Sequence, residues 1–144
     1  MSALKGQFDQ HLHTGTGMDG RKLKYSNLAG IPLAPVPNTV ASTGSSGTIT
    51  LNMASGNVQN FTFSGSSASD SITLALTSVT ANQIFLVSVT QNSGGSGTVT
   101  WFSTIRWAGG SPPTLTTTGG QRDTFGFIAT STNTFDGFVV GLNI

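Results

Sequence analysis

From about residue 44 to residue 144, apolar side chains recur at every second position in short runs, and almost nothing between them is charged. A period of two turns one face of each run toward a core and the other toward solvent, which is a strand pattern and not a helical one. Ile49, Leu51 and Met53 make the first run, Phe61 and Phe63 the second, and Ile72, Leu74 and Leu76 the third. Residues 84–89 are nearly all apolar and predict a central strand buried on both faces. Val99 with Trp101, Ile105 with Trp107, Phe125 with Phe127, and residues 135–142 complete the set. Clusters rich in Gly, Ser and Pro at 55–57, 64–69, 94–95, 109–113 and 119–120 break the runs. Short strands with turns about every eight to twelve residues predict an all-β fold. The expected form is an antiparallel, jelly-roll-like β-sandwich over residues 45–144.

The first 44 residues read differently. Gly15, Gly17 and Gly20 argue against both helix and core, and Pro32, Pro35 and Pro37 impose extended backbone. The sequence ASTGSSG at 41–47 reads as a flexible joint. One short helical turn is expected at 25–29, with Ser26 as its cap. Residues 1–44 are therefore expected to be an extended, mostly irregular N-terminal arm and linker. Such an arm buries little, so its ordering is expected to depend on sister chains or a larger assembly.

Charge excludes several classes of function. The chain has six basic and five acidic residues, no glutamate and no cysteine. Four bases and two acids fall in 1–44, against two bases and three acids after it. Neither half carries the basic stripe of a nucleic-acid binder or of an anionic-membrane binder. Without cysteine there are no disulfides, no thiolate catalysis and no zinc–sulfur site. No apolar run approaches the ~18 residues of a membrane helix, and the first residues lack the apolar stretch of a signal peptide.

Few residue sets suggest chemistry. His11 and His13 share one side of an extended backbone, so both imidazoles can approach one metal ion. Two ligands are too few for a stable site, whereas a three-fold axis through the pair would supply six nitrogens. Asp9 could orient one of the rings. Solvated or backbone-bonded imidazoles are the plainer alternative. The glycines of 15–20 spell G-x-G-x-x-G, but no core strand precedes them and no helix follows, so the stretch reads as a glycine turn. Arg21, Lys22 and Lys24 read as a solvated cluster or as partners of Asp9 and Asp19. Trp107 with Arg106, beside the 109–113 loop, is the candidate glycan contact. Core packing is the alternative for at least one of the indoles of Trp101 and Trp107. There is no nucleophile elbow, no phosphate loop and no carboxylate pair placed for glycoside hydrolysis. A non-enzyme is expected.

Residues His11-Leu-His13-Thr-Gly15, Asp19-Gly20, Lys22-Leu23, Tyr25, Asn27-Leu28 and Ile31-Pro32 resemble a leader in structural proteins of tailed bacteriophages. That leader has the form H-x-H-x-G-x-D-G-x-K-[IL]-x-Y-x-[ND]-L-x-x-[IK]-P. The C-terminal part resembles a β-domain that recurs in the same virions. Its marks are Thr98-Val-Thr-Trp101, Ile105-Arg-Trp107-Ala-Gly-Gly110, Pro113-Thr-Leu115-Thr, Asp123-Thr-Phe125 and Phe138-Val-Val-Gly141-Leu-Asn143. The resemblance implies a non-enzymatic virion component, a homotrimeric capsid decoration or short head or tail fibre. Its arm, through Phe8, Asp9, Asp19, Lys22, Tyr25 and Leu28, would dock on a major capsid or tail and baseplate protein. The β-domain would face outward, toward a host-surface glycan, and His11 and His13 would hold iron or another transition metal on the three-fold axis. The competing expectations are a monomeric carbohydrate-binding β-sandwich module and, more remotely, a metal-dependent enzyme using the two histidines.

Overall fold

The computed structural model describes residues 37–42, 45–65, 70–102 and 104–144. Nine strands run in order β1 (Pro37–Ala41), β2 (Ser46–Asn52), β3 (Val58–Thr62), β4 (Ser71–Thr77), β5 (Ile84–Thr90), β6 (Thr98–Thr100), β7 (Ile105–Trp107), β8 (Arg122–Ala129) and β9 (Phe135–Gly141). A single 3₁₀ turn at Met53–Ser55 follows β2. The all-β class stands, and the strands form two sheets: six strands ordered β1-β3-β5-β8-β9-β7 and three ordered β2-β4-β6. Because β1 pairs with β3, the larger sheet begins at Pro37, on the arm side of the boundary drawn at residue 44. The helical turn expected at 25–29 lies outside the described residues.

Strand pairing corrects the antiparallel, jelly-roll-like expectation. β1, β3 and β5 pair in parallel, as do β2, β4 and β6, and β7 pairs in parallel with β9. Only β8 is antiparallel to its neighbours, β5 and β9. The reason lies in the connections. The segment between β2 and β3 reads in sequence as a hairpin turn, but it carries the chain from the small sheet to the large one. Each strand then lies beside the strand two places earlier and points the same way, as in successive rungs of a solenoid. The first six strands therefore form three rungs, and β8 with β9 extends the large sheet beside the third.

Register explains the core. Val40, Phe61 and Val89 align on neighbouring strands, as do Ile49 with Leu74 and Ile72 with Val99. Leu51, Phe61, Ile72, Leu74, Phe85, Val87, Val89, Phe125 and Phe127 are all buried. Burying one such side chain contributes about 1.5–3 kcal/mol. β-Branched and aromatic residues suit a pleated backbone, which is why Thr and Val fill the positions between them. Several interior positions are polar, and Gln59 is one of them. Gln59 donates from Nε2 to the carbonyls of Asn52 (3.2 Å) and Gly56 (2.6 Å), and its Oε1 accepts from Asn38 Nδ2 at 2.8 Å. Its amide thus holds the crossing turn between the sheets and the first rung together.

β5 is central, as its apolar run predicts, but it is not buried on both faces. Phe85, Val87 and Val89 point inward, whereas Ile84 on the other face is 63% exposed. Ile84 lies opposite Ile128, and Leu86 opposite Gly126, which pairs in turn with Phe138. Glycine at 126 leaves room for the Phe138 ring, which lies where a Cβ would stand. Ile84, Ile128 and Phe138 together give the large sheet an apolar outer face.

Candidate functional site

An open cleft of about 610 Å³ lies beside β6, β7 and the 110–117 loop. Its apolar wall is built from Val99, Trp101, Ile105, Trp107, Pro113 and Leu115. Ser96, Thr98, Thr100, Thr114 and Thr117 bring hydroxyl-bearing residues to the same lining. Among the described residues no charged side chain lines the cleft. A second concavity of about 430 Å³, near Thr73, Thr132 and Asn133, shares Trp101 and Phe102 with the first.

The indoles are set by the strands that carry them. Trp107 points to the inner face of β7, where its neighbour across the ladder is Gly137. A Cβ at 137 would stand 2.9 Å from Trp107 Cε3, so the missing side chain lets the indole lie across β9. The ring then reaches Phe127, with centroids 5.5 Å apart, and Trp101 at 5.4 Å and 66°. Trp101 packs edge-on to Phe125 at 4.9 Å. Edge-to-face geometry of this kind fixes ring orientation as well as burying area. Both tryptophans are half-buried. They pack on the core on one side and line the cleft on the other.

The opposite wall is held by a buried carboxylate. Asp123, on β8, is 1% exposed. Its Oδ2 accepts from the Thr116 amide at 2.6 Å; its Oδ1 accepts from Thr116 Oγ1 at 2.7 Å and from the Asn143 amide at 2.9 Å. Charge-assisted bonds of this length are stronger than neutral ones, and here they clamp the 112–117 segment to the sheet. At the end of the cleft, the Ser96 amide donates to the Thr117 carbonyl at 3.0 Å. Gly95 beside it has φ +66° and lies against that same carbonyl, where no side chain fits. The turn at 92–97 is braced from within: Asn92 Oδ1 accepts from the amides of Gly94 and Gly95, and Asn92 Nδ2 donates to buried Asp70 at 2.6 Å.

Trp107 and Arg106, paired in sequence as a glycan contact, fall on opposite faces of the sheet. Successive residues of a strand must point opposite ways. Arg106 faces outward and is bound to Asp136 at 2.8 Å. Its side chain is 74% exposed, so Arg106→Ala is expected to change stability by under about 0.5 kcal/mol. Thermal unfolding checks this, and Trp107 keeps its cleft position in that variant. Sequence reasoning did not place Trp101 in the cleft, and it named Asp123 only within a motif, without its clamping role.

His11 and His13, and the arm residues Phe8, Asp9, Asp19, Lys22, Tyr25 and Leu28, lie outside the described residues. Among the described residues no group of three or more His, Cys, Asp or Glu side chains is placed to hold a metal ion. Comparison with protein-family models, with curated proteins and with solved structures gives no match to this chain.

Proposed function

We propose that this protein is a non-enzymatic structural part of a tailed-bacteriophage virion, a homotrimeric decoration or short fibre protein. Residues 1–36 serve as the anchoring arm, through Phe8, Asp9, Asp19, Lys22, Tyr25 and Leu28, on a capsid or tail protein. The β-domain from Pro37 onward is carried outward on the virion surface, for adhesion to the host. His11 and His13 of three chains meet on the axis around iron or another transition metal. The observation that carries this reading is the outer face of the six-stranded sheet. Ile84, Ile128 and Phe138 are 37–63% exposed on one face of neighbouring strands. From residue 37 on, the only charged side chains not buried are Arg106, Arg122 and Asp136, and two of these neutralise each other. An apolar, nearly uncharged face on a chain this short is a surface for assembly.

Light scattering after size exclusion tests it. The intact chain is expected at three chain masses, and Phe138→Lys is expected to shift it toward the monomer with unchanged far-ultraviolet circular dichroism. A chain truncated before Pro37 keeps β1 and shows whether the arm or the sheet face holds the trimer. A monomeric intact chain overturns the trimer and the axial metal site with it. The second reading, a monomeric carbohydrate-binding module, is favoured by the aromatic cleft and would then take its place.

A further inference from the structure

We infer that the cleft between Trp107 and the 112–117 wall binds a neutral saccharide. This names the ligand class for the adhesion role proposed above and rests on the β-domain being the exposed part of the assembly.

Three properties of the cleft select the ligand. First, it is uncharged. Asp123 and Asp70 are buried elsewhere, and Arg106 is on the far face of the sheet. A phosphorylated, sulfated or carboxylated ligand would lose its hydration there and gain no ion pair. Second, one wall is apolar and aromatic while hydroxyl-bearing threonines share the lining. A pyranose ring matches that division, with C–H faces for an indole and hydroxyls around its edge for hydrogen bonds. A lipid chain would make no use of the exposed hydroxyl-bearing residues Thr100, Thr114 and Thr117 and would favour a closed cavity, whereas this cleft is open. Third, the walls are set before any ligand arrives. The three hydrogen bonds to Asp123 fix one side, and Gly137 with Phe127 fixes the indole on the other. A site ordered in advance loses less freedom on binding, which matters for a weakly held sugar. The volume, about 610 Å³, suits a short oligosaccharide more than a single ring.

The chain has two tryptophans, and both line the cleft. Intrinsic fluorescence of the full chain therefore reports the site directly. The probes are cello-, malto-, manno-, galacto- and chito-oligosaccharides of two to six units, with sialyllactose and heparin-derived disaccharide as charged counterparts. At least one neutral series is expected to give a saturable fluorescence change at micromolar to millimolar concentration, and the charged probes none at the same concentrations. Trp107→Ala is expected to weaken that binding at least tenfold. Because Trp107 also packs on Phe127, Thr100→Lys serves as the second variant. It places a charge at an exposed lining position without touching the core, and it is expected to weaken binding at least fivefold with unchanged thermal unfolding. Arg106→Ala is expected to bind as the parent does. Absence of any saturable change with all five neutral series, tighter binding of a charged probe, or full affinity in Thr100→Lys each overturns the inference. Light scattering on the same samples separates the two readings: a monomer that binds sugar through Trp107 retires the trimer alone, and a trimer that binds none retires the cleft alone.

Discussion

Asp123→Ala is expected to lower the free energy of unfolding by about 3–5 kcal/mol, a large share of what a domain of this size possesses. The carboxylate lies in the same inward row as Val40, Phe61 and Val89, where every other member is apolar. It stays there because three donors converge on it: the Thr116 amide, the Thr116 hydroxyl and the Asn143 amide. Alanine removes the acceptor of all three; a buried donor left unpaired costs about 1–3 kcal/mol, and the loss is relieved in part here because Thr116 is only half-buried and Asn143 is exposed. Asp123→Asn separates charge from shape. If the amide oxygen takes the Thr116 hydroxyl and the Asn143 amide, its NH₂ faces the Thr116 N–H, donor against donor. That variant is expected to lose about 2 kcal/mol. Urea unfolding followed by tryptophan fluorescence measures both. Equal stability of Asp123→Ala and the parent would mean that the 112–117 wall and the C-terminal segment are held by something other than this carboxylate. Loosening of the wall also predicts faster amide exchange at Thr116 and Asn143 before global unfolding.

Alternation in the sequence identifies which residues point inward, and it marks Phe61, Ile72, Leu74, Phe125 and Phe127 as core residues, which they are. It carries no information on which strand lies beside which. A turn of a few residues, such as Ser55-Gly56-Asn57, looks the same whether it closes a hairpin or crosses to a second sheet, so the parallel rungs were not legible. Ile84 misleads for a related reason. A continuous apolar run signals two buried faces only when something covers the second one along its whole length; on β5 the outer face is buried at Ser88 but open at Ile84. The cleft was half legible: Trp107 stands out in the sequence, but Arg106 cannot share its face on a strand. Thr116, Asp123 and Asn143 all fall within the motifs of the resembled β-domain, but the role of Asp123 was not legible, because nothing in the sequence says that residues 7 and 20 positions away converge on one carboxylate.

Phe127→Ala is expected to cost about 3–5 kcal/mol, and the contrast with its outward neighbour is what makes the prediction sharp. Phe127 is fully buried at the centre of the aromatic cluster. It stacks on Phe85 at 5.2 Å and 20°, meets Phe102 at 5.0 Å, and supports Trp107 at 5.5 Å and Trp101 at 5.7 Å. Removing the ring loses its own burial and leaves a void that the neighbours cannot fill, because their orientations are fixed by contacts with one another. Phe127→Leu keeps much of the volume and is expected to cost about 1–2 kcal/mol. Ile128, the next residue along β8, is 39% exposed on the other face. Ile128→Ala is expected to cost under about 1 kcal/mol in the isolated chain, since the side chain has little transfer free energy to lose. Urea unfolding of the three variants at one protein concentration, repeated at a tenfold higher one, decides the matter. A loss in Ile128→Ala as large as that in Phe127→Ala, and growing with protein concentration, would place the outer face inside an interface between chains. Equal losses independent of concentration would contradict the inward and outward assignment of β8 itself. The tryptophan emission of folded Phe127→Ala adds a second reading. With their support gone the two indoles are expected to be more exposed and to emit at longer wavelength, and any saccharide response of the cleft should weaken with them.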